Sequence, residues 1–397
     1  MKHISSKISL LLMCFMLVGA TAYAETYKYA VKKPAKKAEL ERCRRGQGSA
    51  ELSINNVRAR INTSGNMWYD GSTARYFVPK DGNSTAMFCA ALWIGGQDAN
   101  LQLRVAALKF GQSGDDFWPG PLTVDANASV DKAVCEQWDK HFKITKAEVE
   151  YFVDGFEYQG ETFIGVDASR ATEAIKTWPA HGDVSKNQSK LMAPFYDRSG
   201  DGVYNWEDGD YPYYDLSGEL CPAKQKEQWA ELGLPFIPTP TMESDTTNPN
   251  YGTGGVVKAY GGLLVDQVLK GDETIWWVFN DKGNAHTESG SENPIGLEIR
   301  AQAFAFAMND EINNMTFYSY EIINRSTFTL TNTYFSQWVD PDLGYSHDDF
   351  VGCDVERGLG YCYNGKATDG PGTGSYSGNP PAIGIDFLQG PYMDAHG

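Results

Sequence analysis

One stretch of twelve residues carries the strongest chemical signal in the chain: Asp197-Arg198-Ser199-Gly200-Asp201-Gly202-Val203-Tyr204-Asn205-Trp206-Glu207-Asp208. Oxygen-bearing side chains fall at loop positions 1, 3, 5, 9 and 12 (Asp197, Ser199, Asp201, Asn205 and Asp208), with Gly202 at position 6. That spacing wraps a chain around a calcium ion, because alternate residues point inward and glycine permits the sharp turn. Val203 would add its backbone carbonyl, and Asn205 would bind directly or through water. The loop carboxylates, with Glu207 and Asp210 beside them, repel one another unless a cation neutralises them. The plainer reading is an Asp/Gly-rich surface turn, which the same residues favour conformationally. Agreement of the ligand spacing with the glycine favours a structural calcium.

The stretch departs from the EF-hand pattern at Ser199 in position 3 and at Asp208, which stands where glutamate usually ends the loop. In its Asp ending it resembles dockerin-like and thrombospondin-type calcium loops. The shorter carboxylate reaches less well for bidentate ligation, which predicts a weak site of extracellular grade. A second acidic group lies at Asp340, Asp342, Asp348, Asp349 and Asp354. Following the last long strand, these carboxylates would gather at a sheet edge. Asp340, Asp342, Asp348 and Asp349 are candidate ligands of another cation, although no fixed spacing defines the set. A hydrated acidic loop is the alternative.

Catalytic signatures are few. There is no G-x-S-x-G, no H-E-x-x-H, no phosphate-binding loop and no dinucleotide fingerprint. His141, His181, His286, His347 and His396 are scattered and read as structural or surface residues. A glycosidase needs two carboxyls flanking a sugar-binding cleft. Asp115 and Asp116 next to Phe117-Trp118, or Asp348-Asp349 near Trp338, could be drawn that way. The paired Trp276-Trp277 sits in a short strand and reads as core on both faces.

The elements that must position these groups are strands. Forty-one glycines and 22 tyrosines among 397 residues point to a loop-rich β protein. Residues 1–24 read as a signal peptide, with Lys2 and Lys7, an apolar run Ile8–Val18, then Ala22-Tyr23-Ala24. That run is too short to span a bilayer and none like it follows, so no transmembrane segment is expected. A formal charge of −17 argues against nucleic acid and anionic lipid as partners and suits a protein that recruits divalent cations. Residues 25–49 form a basic, solvated linker. Of the cysteines beyond the leader (Cys43, Cys89, Cys135, Cys221, Cys353 and Cys362), only Cys353 and Cys362 are near enough in sequence to suggest a pair. Free, buried cysteines are the alternative.

Runs at Leu52–Ile61, Ala86–Ile94 and Leu101–Phe110 read as strands, the second stopping at Gly95-Gly96 and the third at Gly111. Phe117–Leu122 is an ordered, non-helical corner because of its two prolines. Ser129–Phe142 has helical spacing, Thr145-Lys146-Ala147-Glu148 is a capping box opening another helix, and residues 169–177 form a third. The chain then divides into a β-rich block with helical insertion over 50–215, a loop excursion over 216–254 with a helix at Lys224–Leu232, and an antiparallel block over 255–397. In the last block Leu297–Ala307, Met315–Ile323 and Phe328–Val339 read as a meander, and the alternation in Leu297–Gln302 predicts one wet face.

Several stretches in order resemble a family of large secreted proteins of Bacteroidota exported by type IX secretion. They are Ile54–Arg60 with Met67-Trp68, Ala91–Gly96, Asp116–Leu122, the acidic loop ending Gly209-Asp210-Tyr211-Pro212, Trp276–Asp281, Thr316–Tyr318, Trp338–Gly344, Asp348–Asp354 and Asn379–Gly384. The resemblance covers nearly all of residues 50–397. It implies an extracellular location and calcium use, and carries no catalytic residue. Such proteins end in a small β-sandwich sorting domain, and nothing after Asp394 resembles one, so a fragment of a longer protein is expected. The combined expectation is a mainly β fold of antiparallel sheets (sandwich or meander type) with short helical insertions and long loops. It would be secreted, stabilised by structural calcium, and act as a surface or adhesion-type module toward extracellular glycan or surface proteins. The alternative is a glycan-binding protein or glycoside hydrolase using Trp and Asp residues.

Overall fold

The computed structural model describes residues 42–214, 216, 258–259, 262–263, 268–291 and 293–390. The leader, the linker up to residue 41, Cys221 and the helix expected at Lys224–Leu232 lie outside the described residues, as does the excursion apart from Leu216. The described residues belong to one compact unit, Arg42–Gly397.

The strands of the first half are β1 (Ser49–Leu52), β2 (Arg58–Asn62), β3 (Asn66–Met67), β4 (Tyr76–Phe77), β5 (Thr85–Met87), β6 (Cys89–Gln97), β7 (Leu103–Ala107) and β8 (Trp118–Pro119). Helix α1 (Lys132–Gln137), β9 (Phe142–Thr145), α2 (Lys146–Val153), β10 (Phe156–Gln159), β11 (Thr162–Val166), α3 (Glu173–Lys176), β12 (Phe195–Tyr196) and β13 (Tyr211–Pro212) follow. After the short hairpin β14 (Lys258–Ala259) and β15 (Gly262–Leu263) come β16 (Glu273–Asn280), β17 (Leu297–Ala305), β18 (Phe317–Asn324) and β19 (Thr331–Asp340). The chain closes with β20 (Asp349–Asp354), β21 (Leu359–Asn364) and β22 (Ala382–Asp386). The protein is mainly β, with 36% strand against 11% helix.

Two sheets face each other. Sheet I runs β19-β6-β3-β2-β4-β5, with β1 on β2 and β7 on β6, and sheet II runs β18-β17-β16-β8, with β9 also on β16. Every residue of β16 is buried. Successive side chains point to opposite faces, so Ile275, Trp277 and Phe279 enter the core shared with sheet I. Trp276 and Val278 enter a second core formed under residues 130–214. Each tryptophan is therefore core, on its own side of the sheet.

That second core changes the reading of Leu297–Gln302. All six residues are buried, and the expected wet face is covered. Burying Glu298, Arg300 and Gln302 is tolerated because each finds partners. Glu298 Oε1 pairs with the guanidinium groups of Arg300 at 2.9 Å and Arg325 at 3.0 Å, while its Oε2 accepts the Leu122 N–H. The Gln302 amide donates to the Val268 carbonyl.

The meander holds for β17 and β18, which pair in register from Leu297↔Asn324 to Phe304↔Phe317. β19 instead crosses to sheet I and pairs with β6, from Asp340↔Cys89 to Thr331↔Gln97. β6 does not stop at Gly95-Gly96 but continues to Gln97 between β7 and β19. A Cβ on Gly96 would meet Thr333 Oγ1 at 2.8 Å, so glycine here serves the close approach of the crossing strand.

The capping box forms as read: Glu148 N–H donates to Thr145 Oγ1 and Thr145 N–H to Glu148 Oε2, opening α2. Helix α1 is shorter than its spacing suggested, because Phe142 is taken by β9, which pairs Phe142↔Trp276 on β16. The expected third helix is a single 3-10 turn at Ala168–Arg170 followed by α3.

The end of the basic linker is tied to the fold while Arg42, Arg44 and Gln47 stay exposed. Cys43 forms a disulfide with Cys135, Arg45 bonds the Phe110 and Gly111 carbonyls, and Asp139 accepts the Gln47 and Gly48 N–H groups. The pair suggested by proximity, Cys353 and Cys362, is not bonded. Cys353 stands opposite Gly360 and is exposed, while Cys362 stands opposite Val351 and is buried. The two share one face of the sheet but stand two residues apart in register, a diagonal longer than the Cβ–Cβ reach of a disulfide.

Candidate functional site

The twelve-residue loop is closed by a two-rung antiparallel ladder, Phe195↔Pro212 and Tyr196↔Tyr211, between β12 and β13. Tyr196 and Tyr211 stack across it with ring centroids 4.9 Å apart. Behind the ladder, Asp210 is fully buried and accepts the N–H of Arg198 and of Asn205, each at 2.8 Å. Burial pushes its carboxyl upward, and those two amide donors work against the shift. His181 braces the other side. Its Nε2 accepts the Tyr204 N–H at 2.7 Å while Nδ1 faces the Lys190 carbonyl, which fixes the neutral tautomer. Burial lowers its affinity for a second proton.

Within the loop the chain folds around the first carboxylate. Asp197 Oδ1 accepts Gly200 N–H at 2.7 Å and Oδ2 accepts Gly202 N–H at 2.8 Å. Gly200 and Gly202 have φ of +76° and +73°, the left-handed region where glycine is unstrained. Asp201 Oδ1 takes the Val203 N–H, Ser199 Oγ reaches Asp197 Oδ1 at 3.3 Å, and Asp208 Oδ2 accepts the Asn205 amide at 2.6 Å. A carboxylate has about four acceptor positions, so Asp197, Asp201 and Asp208 each keep oxygen lone pairs beyond these bonds. The donor set is mixed. Among the described residues no three His, Cys, Asp or Glu side chains are gathered as a metal-holding group. An ion here would draw on hydroxyl, amide and backbone oxygens as well as carboxylates, the donor chemistry calcium takes.

The second acidic group is assembled by three elements. Asp340 ends β19 and Asp342 follows it, Asp348 lies in the 3-10 turn Ser346–Asp348, and Asp349 opens β20. Asp349 Oδ2 accepts the Leu343 N–H at 2.9 Å, and its Oδ1 is buried without a hydrogen-bond partner among the described residues. The spacing of the sequence did not point to Asp369, which is buried and joins the group through Asn364. That amide bridges Asp348 and Asp369. Asp354 is separated from the others by the length of β20. Burial raises Asp340 and Asp342. It lifts Asp349 to about 6, opposed by the Leu343 N–H and reinforced by the charges of Asp348, Asp369 and Asp342.

A carboxyl held above its ordinary value of 3.8 binds more protons folded than unfolded, so its contribution falls as pH rises through that window. Asp349→Asn is therefore expected to gain stability relative to the parent between pH 4 and pH 7 in the presence of a chelator. Melting curves of both proteins at the two pH values check this. A constant difference would show that the buried oxygen is not strained by its charge.

Of the carboxylates drawn for sugar hydrolysis, Asp116 is engaged by backbone amides. Asp116 is fully buried and accepts the N–H groups of Ala107, Glu288 and Ser289. Phe117 and Trp118 beside it are 0% and 2% exposed, so neither offers a face to a sugar. Trp338 is half-buried and stacks on Trp93 across β19 and β6, with ring planes 4° apart. No helix among the described residues is long and apolar enough to cross a membrane. Set beside known protein families, curated proteins and solved structures, the chain matches none of them.

Proposed function

We propose that the protein is an exported, calcium-stabilised surface or adhesion-type module without catalytic chemistry of its own, of the kind carried by type IX secretion. The observation that carries this reading is the closed loop between β12 and β13. Its backbone is wound around Asp197, and its remaining donors sit at the spacing of a calcium loop. Asp197, Ser199, Asp201, Val203, Asn205 and Asp208 would hold the ion. Calcium would supply the positive charge that lets these oxygens approach one another. The chain's own residues do the rest: the tyrosine stack and Asp210 pin the loop ends, and His181 holds Tyr204. The disulfide between buried cysteines suits an oxidising, extracytoplasmic compartment. The leader read at residues 1–24 supports the same location.

Outside the cell, millimolar calcium keeps even a weak site filled. A ligand bound to the folded state at roughly 10 to 100 times its Kd stabilises by about 1.5–3 kcal/mol. Residues 25–397 are therefore expected to melt several degrees higher in millimolar calcium than in chelator. Asp201→Ala is expected to remove most of that difference. A variant that responds to calcium as the parent does would make the loop a turn and nothing more.

A further inference from the structure

β20, β21 and β22 form a separate antiparallel sheet. Registers Phe350↔Tyr363↔Ala382, Gly352↔Tyr361↔Gly384 and Asp354↔Leu359↔Asp386 define the outer face. The inner face carries Cys362, Ile383 and Ile385 against the sandwich core, while Val351 and Cys353 on the same face of the edge strand β20 are exposed. An ordinary outer face would be polar. This one presents Phe350 at 57%, Tyr363 at 44% and Tyr361 at 38% exposure. The three rings form a row, with centroids 5.9 Å apart between Phe350 and Tyr363 and 6.2 Å between Tyr363 and Tyr361, and planes inclined by 24° and 31°.

The floor beneath them is made of backbone. A Cβ on Gly352 would come within 2.5 Å of the Tyr361 ring, and one on Gly365 would collide with the Phe350 ring. Two of the rings therefore rest on glycine. Ala382 and Gly384 raise no wall beside the tyrosines, so the row is a shelf rather than a groove. At one end Asp354 and Asp386 flank Leu359 on neighbouring strands, and Asp354 accepts from the backbone N–H and the exposed guanidinium of Arg357 while keeping further lone pairs.

We propose that this outer face binds a neutral polysaccharide, with pyranose rings stacked on Phe350, Tyr363 and Tyr361 and hydroxyls taken by Asp354 and Asp386. A pyranose whose hydroxyls are equatorial has an apolar face of C–H groups. These are attracted to the negative faces of aromatic rings, and the bodies of the rings exclude water. Its rim of hydroxyls donates to carboxylates in charge-assisted bonds. A protein partner would insert side chains into pockets, and a shelf floored by glycine offers none. Arg357 neutralises Asp354, and the carboxylate of Asp386 together with a formal charge of −17 repels acidic glycans. The site shares no residue with the 197–208 loop and stands or falls independently of it.

The test is binding of residues 25–397, in calcium, to soluble neutral β-glucan, xylan and mannan, read by affinity electrophoresis and calorimetry, with alginate as the acidic control. At least one neutral glycan is expected to bind and alginate not. Tyr361→Ala/Tyr363→Ala is expected to weaken binding at least tenfold, and Asp354→Asn severalfold, with melting temperatures within a degree or two of the parent. The proposal is overturned if no neutral glycan binds, if alginate binds equally, or if the variants bind as the parent does. It is also overturned if the same variants leave glycan binding unchanged but abolish self-association in sedimentation, which would make the shelf a contact between copies of this chain.

Discussion

Asp281→Ala is expected to destabilise the protein by roughly 3–5 kcal/mol, the usual cost of stripping one partner from a buried charged network. Asp281 is fully buried where β16 ends, and its carboxylate gathers three consecutive amides at the start of β17. Oδ2 accepts Ile295 N–H, and Oδ1 accepts Gly296 N–H at 2.8 Å and Leu297 N–H at 2.6 Å. Burial pushes the carboxyl upward, and His286 and these three amides hold it back. The imidazole of His286 is itself buried, with Nδ1 2.7 Å from the Val105 carbonyl and Nε2 2.6 Å from the Asp281 carbonyl. Carboxylate oxygens of Asp116 and Asp281 lie 3.7 Å and 3.6 Å from those nitrogens. Alanine would leave three amides without acceptors in the core and remove one of the two acids that flank the ring. Urea unfolding of the parent, Asp281→Ala and the shape-conserving Asp281→Asn measures the effect, with asparagine expected to fall between the other two. An alanine variant within about 1 kcal/mol of the parent would mean that this junction does not hold the two strands together.

Loss of the Cys43–Cys135 bridge is expected to cost roughly 2–5 kcal/mol. The two cysteines are 92 residues apart in sequence, and the entropy removed from the unfolded chain grows with the length of the closed loop. Both are buried beside Trp118, so the bridge joins the arm before β1 to α1 at the edge of sheet II. The double variant Cys43→Ala/Cys135→Ala isolates the effect without touching Cys89, Cys353 or Cys362. Thermal melting of the variant against the parent gives the magnitude. Thiol titration of the unreduced, denatured parent gives the state of the bond. Reactive thiols at both positions, or equal melting, would remove the bridge from the account of stability.

Local signals in the chain were legible where the determining partners are close in sequence. The capping box at Thr145 and Glu148 satisfies amide donors within one turn, so four residues suffice to specify it. The strand runs around Trp276, Leu297 and Tyr318 carry their own β preference, and the connection between β17 and β18, turned by the 3-10 segment Glu311–Asn314, brings those neighbours together. The loop at 197–208 was visible as a pattern because one turn sets its backbone. What pins it was not, since Asp210 looked like one more acid and His181 lay outside the loop altogether.

The sequence by itself thus determined that the chain is mainly β, where its longer strands and the capping box lie, and that residues 197–208 form an acidic, glycine-punctuated loop. Tertiary structure alone decided that the polar alternation of Leu297–Gln302 faces a second core rather than water, that β19 pairs with β6, that Cys43 meets Cys135, and that Asp369 joins Asp348 and Asp349. The physical reason is common to all four. An alternating strand shows that its faces differ but not what covers them. Contact between segments that are not neighbours in sequence depends on how the packed elements come together, which no local pattern encodes.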